Sequence, residues 1–108
     1  VFRGDIWDVQ FPAPVGSRPC VLLTTNALIP RLGAITIAEV TGTQGPASTH
    51  VEVDADAGLA GRPRSWVNVT GLHTVPKGNL RRSRGRLAPT ELAHVAAAVR
   101  AYLDLNDE

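Results

Sequence analysis

Apolar and polar positions alternate along Asp5-Ile6-Trp7-Asp8-Val9-Gln10-Phe11, with Ile6, Asp8 and Gln10 on one side and Trp7, Val9 and Phe11 on the other. A period of two is the signature of a half-buried strand. Cys20-Val21-Leu22-Leu23, followed by Thr24 and Thr25, is a continuous apolar run instead, the pattern of a buried strand. A short loop from Pro12 to Ser17 separates the two, so they are expected to pair back as a hairpin. Pro19 stands at the entry of the second strand, where a missing N–H is tolerated. Arg18 therefore sits where a Gly/Ser/Pro loop turns into a core strand.

Pro30 permits at most one helical turn between Asn26 and Leu32. Ala34 to Thr41 is rich in β-branched residues and predicts a third strand, with Glu39 as its only charge. Gly42 to Ser48 is a polar loop without periodicity. Thr49 to Val53 alternates again and predicts a fourth strand, at an edge; Asp54 to Pro63 is small-residue chain expected to be flexible. Ser65 to Val69 is a fifth strand with Trp66 as a core candidate, and Leu72 to Val75 continues the sheet until Pro76-Lys77-Gly78 breaks it. Leu80 to Leu87 is a short basic strand or extended segment. Pro89 then opens the one convincing helix, at a position where its missing N–H is not needed. Glu91 in the first turn suits the helix dipole, and the helix is expected to run to Leu105. Leu92, Val95, Ala96, Val99, Tyr102 and Leu103 share one face, with His94 on its flank. The order predicts a mainly β fold with a C-terminal helix: a strongly bent sheet or partly open barrel, forming a single domain over residues 1–108.

With 44% hydrophobic and 19% charged residues the chain reads as a soluble globular domain. No apolar run approaches the ~20 residues of a membrane span, so neither a membrane span nor a signal peptide is expected. One cysteine, Cys20, excludes an internal disulfide and suits a reducing cytosol, so a cytoplasmic location is expected. No His or Cys has metal-ligand spacing, so neither a metal nor another cofactor is expected. The net charge is only +1, yet seven of the eleven basic residues lie between Arg62 and Thr90, a window without Asp or Glu. That segment reads either as a surface for a polyanion or as a solvated strand edge kept soluble by arginine.

No phosphate-binding glycine loop, nucleophile elbow or H-E-x-x-H helix is present. What remains is Arg, Thr, Ser, Asn and His at strand ends, groups suited to phosphate chemistry without a metal. RNA carries its own nucleophile in the 2′-OH, so a site of this kind need only orient it and stabilise charge.

These residues carry a resemblance. Arg3-Gly4-Asp5-Ile6-Trp7, the Gly-x-Arg-Pro-x-Val element at Gly16 to Val21, and Asn26 are similar to the opening of the MazF/PemK toxin family. Ile37 to Thr41, Thr49-His50-Val51-Glu52-Val53-Asp54, Leu72 to Lys77, Gly85-Arg86-Leu87 and the closing helix follow in the family's order. The resemblance implies an SH3-like barrel with a C-terminal helix, a homodimer, and a metal-free endoribonuclease toxin of a bacterial type II toxin–antitoxin system. It implies single-stranded RNA as substrate, cut to a 2′,3′-cyclic phosphate and a 5′-hydroxyl, and a cognate MazE-like antitoxin as inhibitor. The family's catalytic Arg matches Arg18 and its catalytic Thr or Ser matches Thr41. Ser17, Asn26, Thr43, Gln44, His73, Lys77, Arg81, Arg82 and Arg84 are the expected RNA contacts.

The chain departs from the family in a shorter loop before Arg18, in Val69-Thr70-Gly71 where many members have Cys-Asp-Gln, and in His73 where an Arg is usual. A second reading is a non-catalytic SH3-like module that docks RNA or a peptide on the same groove, since fold does not fix function.

Overall fold

The computed structural model describes residues 1–54 and 64–105, so most of the segment expected to be flexible lies outside the described residues. The strands are β1 (Asp5–Gln10), β2 (Ser17–Leu22), β3 (Ala34–Thr41), β4 (His50–Val53), β5 (Ser65–Pro76) and β6 (Leu80–Arg86). A 3-10 turn at Lys77–Asn79 separates β5 from β6, where the Pro-Lys-Gly break was expected, and the helix α1 spans Pro89–Tyr102. The strands form one antiparallel sheet in the order β4-β5-β3-β2-β1-β6. β4 and β6 are its two edges and do not pair with each other, so the barrel is open. The sheet curls strongly all the same: the ring of Phe11, just past β1, meets the ring of His73 on β5 edge-on at 5.2 Å, with β2 and β3 between those strands.

Each face of the sheet carries its own core. Ile6, Val21, Ala38, Val40, Val67 and Val69 pack with Val95 of α1 on one side. Val9, Cys20, Leu22, Ile35, Ile37 and Val75 pack on the other, covered in part by Ile29 from the turn after β2. β1 is therefore not half-buried as its alternation suggests, because Ile6 and Val9, on opposite faces, are both fully buried. A sheet covered on both sides gives even an alternating strand two apolar contacts.

Two boundaries differ from the sequence reading. β2 begins at Ser17, three residues ahead of Cys20, because β1 pairs with it as far as Gln10↔Ser17. Pairing with β3 starts only at Cys20, so Pro19 has a ladder neighbour on one side alone and its missing N–H is harmless. The helix stops at Tyr102 instead of Leu105. Asp104 adopts φ 56°, and the Leu105 and Asp104 N–H groups turn back onto the carbonyls of Arg100 (2.8 Å) and Ala101 (3.3 Å). This is the Schellman closure of a helix end. Tyr102 and Leu103, expected on the packed face, are exposed, whereas Val95 is fully buried.

Candidate functional site

Arg18 on β2 and Thr41 at the end of β3 come together in a cleft of about 460 Å³. Ser17, Pro19, Val15, Val40, Gly42 and Thr43 complete its lining. The register explains the meeting: Cys20 pairs with Glu39, and two positions further along each strand carry Arg18 and Thr41 to the same sheet end and the same face. Val9 of β1 pairs with Arg18, giving the base of that side chain a rigid, buried floor. Among the described residues the Arg18 guanidinium has no hydrogen-bond or ion-pair partner, and it is exposed. The Thr41 hydroxyl accepts the backbone N–H of Thr43 at 3.1 Å, which leaves its own hydrogen free to be donated outward. An uncompensated cation and an oriented hydroxyl donor facing one concavity can hold a phosphate and stabilise charge that builds on it.

The loop after Thr41 is held by close packing. A Cβ on Gly45 would lie 2.4 Å from the His50 ring, so only glycine lets that imidazole close over the loop. Thr49 Oγ1 bonds His50 Nδ1 at 2.9 Å, and the His50 N–H returns to the Pro46 carbonyl. Thr43 thus lines the cleft, and Gln44 follows it on the same exposed loop.

One step inward on the same face, Cys20 lies fully buried opposite Glu39. Burial pushes its thiol up to about 12, with Glu39 and Asp8 adding to the rise and Arg18 opposing it. It is a packed thiol, inert near neutral pH. Beside it Glu39 Oε2 and His73 Nε2 stand 2.8 Å apart. His73, another of the expected residues, thus reaches this face one strand over from Glu39.

The remaining expected contacts lie elsewhere. Asn26 and Lys77 border a second, largely apolar cavity of about 550 Å³ with Phe2, Trp7, Ile29 and Leu80. Both have structural partners there: Asn26 Oδ1 accepts the Arg3 N–H at 2.7 Å, and Lys77 Nζ donates to the Ile29 carbonyl at 2.8 Å. Arg81, Arg82 and Arg84 lie on the edge strand β6. Arg84 pairs with Asp8 at 3.3 Å, and Arg81 donates to the Gly78 carbonyl. Arg86, two residues on, pairs with Asp5 at 3.1 Å. Arg62 lies outside the described residues. Among the described residues no three His, Cys, Asp or Glu side chains gather as a metal centre would require.

Sequence reasoning singled out Glu39 only as the lone charge in an apolar strand and did not connect it to His73. Their contact depends on an irregularity in β5: Leu72 pairs with Ala38 but Asn68 with Glu39, so Val69, Thr70 and Gly71 are looped out between them. Nothing in the local pattern announces that offset.

Three comparisons bear on this arrangement. A family model described as "PemK-like, MazF-like toxin of type II toxin-antitoxin system" matches residues 2–103. Two Mycobacterium tuberculosis proteins align along most of their length. "Probable endoribonuclease MazF2" is 31% identical over 92% of this chain and 94% of its own. "Probable endoribonuclease MazF5" is 35% identical over 94% and 92%. Among solved structures, the Mycobacterium tuberculosis toxin MazF-mt6 superposes with a TM-score of 0.84 at 30% identity, covering 95% of this chain and 99% of that one.

Proposed function

The chain belongs to the PemK-like, MazF-like toxins of type II toxin–antitoxin systems, and we propose that it is an endoribonuclease that cuts single-stranded RNA without a metal ion, using the Arg18–Thr41 cleft. The observation that carries this reading is the pairing of an unpartnered guanidinium with a hydroxyl donor in one polar concavity. A phosphodiester seated there has its non-bridging oxygens facing Arg18 and Thr41. The 2′-oxygen of the preceding ribose attacks phosphorus, the bond to the 5′-oxygen breaks, and the products carry a 2′,3′-cyclic phosphate and a 5′-hydroxyl. Arg18 stabilises the extra negative charge of the five-coordinate phosphorus and Thr41 donates to one of its oxygens. Ser17 and Thr43 at the cleft wall position the backbone of the RNA.

The active species is a homodimer, which extends a short cleft into a groove long enough for several nucleotides. A cognate antitoxin with an acidic segment that orders on binding covers the same groove and silences it. Incubation of the purified protein with a long unstructured RNA, with and without EDTA, tests the reading. Cutting that survives EDTA and leaves 5′-hydroxyl ends supports it. Intact RNA that is nonetheless bound would make the chain a docking module, and cutting abolished by EDTA would remove the metal-free mechanism.

A further inference from the structure

We propose that Glu39 and His73 form the proton-transfer element of this site: His73 acts as general base toward the 2′-hydroxyl, and Glu39 positions its ring. The assignment rests on the Arg18–Thr41 reading above and adds what that cleft lacks. A guanidinium and a threonine hydroxyl both donate hydrogen bonds, and neither is a useful proton acceptor near neutral pH. Attack by a 2′-hydroxyl releases a proton, so an acceptor must stand close by.

The sheet supplies one. Glu39 is two residues before Thr41 on β3 and opposite Cys20 on β2, while Arg18 is two residues before Cys20. The Cα of Glu39 is therefore one strand repeat, about 7 Å, from that of Thr41, and the two side chains leave the sheet on the same face. His73 pairs with Ile37 across the β3–β5 ladder, which makes it the diagonal neighbour of Glu39 on that face. The Nε2 to Oε2 distance is 2.8 Å. In the tautomer in which Nε2 donates to the carboxylate, Nδ1 holds the lone pair of the ring. No hydrogen bond to Nδ1 is found among the described residues, and the ring is open enough to be reached, its side chain 42% exposed. Phe11 meets the ring edge-on and limits its rotation.

The carboxylate is held as firmly. A Cβ on Gly71 would come within 3.0 Å of Glu39 Oε2 and 3.3 Å of its Cβ, so the looped-out glycine is the notch in which Glu39 lies. The charged group in contact with the imidazole is Glu39 from β3, and the Phe11 ring, just past β1, packs against its other side.

In the step proposed, the 2′-oxygen gives its proton to Nδ1 and forms the bond to phosphorus. The bond from phosphorus to the 5′-oxygen breaks with its electron pair, and the departing alkoxide takes a proton from water. The imidazolium, steadied by Glu39, then returns its proton to solvent.

Single-turnover cleavage of a single-stranded RNA, at saturating protein and over a range of pH, tests the assignment. His73→Gln is expected to lower the rate by ~10²–10⁴-fold with little change in RNA affinity, and to abolish the rise of rate with pH at the acidic end. Glu39→Gln should give a smaller loss and keep that rise. Free imidazole should restore part of the activity of His73→Ala and none to Arg18→Ala. A wild-type rate in His73→Gln, or a loss confined to RNA affinity, overturns the proton-transfer role while leaving the Arg18–Thr41 reading intact. A wild-type protein that cuts no RNA overturns both, and shows itself before any variant is made.

Discussion

The strand β6 and the cleft at the ends of β2 and β3 both present arginine, and they use it in opposite ways. β6 holds Arg81, Arg82, Arg84 and Arg86 in one short strand. Two of them face carboxylates of β1, Arg84 on Asp8 and Arg86 on Asp5, and Arg81 caps the turn before the strand. The edge that looks most basic in sequence thus has much of its charge answered from within, and its arginines help keep an exposed edge soluble. Arg18 has no such partner among the described residues, sits on a buried floor and shares its cleft with an oriented hydroxyl. Density of charge marks the first region; lack of compensation among the described residues marks the second.

The largest effect expected from this contrast is at Arg18. Arg18→Ala should fold with an unchanged melting temperature, since no bond is lost, yet cleave ~10²–10³-fold more slowly; a correctly folded variant with near wild-type rate would erase the distinction. Thr41→Val should come next. Loss of one neutral donor to the phosphate corresponds to ~10-fold in rate, and loss of the bond to the Thr43 N–H to no more than about 1 kcal/mol of stability at this half-exposed position. Equal rates in the two forms would make Thr41 a plain strand residue.

Replacing Arg81, Arg82 and Arg84 together with Gln should leave the cleavage rate at saturating RNA near wild type. Binding should weaken and the slope of log affinity against log salt should fall by about one or two. An unchanged slope would move the RNA path off β6 altogether.

The smallest effect is at the other edge, where Arg64 bonds Glu52 at 2.9 Å and lies over the Trp66 ring at 5.0 Å. The hydrogen bond from Arg64 holds the Glu52 carboxyl below its ordinary value and raises Arg64 in turn. A depressed carboxyl contributes to stability above its unfolded pKa and loses that contribution as pH falls through the folded one. Thermal melts of wild type and Glu52→Gln should therefore differ slightly at neutral pH and converge in acid. The gap will be small because both side chains are about half exposed to screening solvent.

The strands were legible in the sequence wherever a local rule operates: alternation in β1 and β4, β-branched density in β3, and Pro89 at the start of α1. The approach of Arg18 to Thr41 was reached through family resemblance, since the residues alone do not say that β2 and β3 are neighbours with that register. What could not be read depends on non-local geometry. The burial of both faces of β1 follows from a helix and a turn far along the chain. The Glu39–His73 contact follows from a three-residue offset in β5, which sequence shows only as Val69-Thr70-Gly71. Likewise the arginines of β6 count as seven of eleven basic residues with their neighbours, but their carboxylate partners, Asp5 and Asp8, lie at the opposite end of the chain.

The measurement that bears most directly on the difference between the two arginine regions is a paired one on a single RNA oligonucleotide in EDTA. The rate at saturating protein and the dissociation constant are determined for Arg18→Ala and for the β6 triple variant against wild type. The expected result is a crossed pattern, in which Arg18→Ala loses rate far more than affinity and the triple variant loses affinity far more than rate. If the triple variant loses rate as heavily as Arg18→Ala, or Arg18→Ala loses affinity alone, the cleft is not where the phosphodiester is broken.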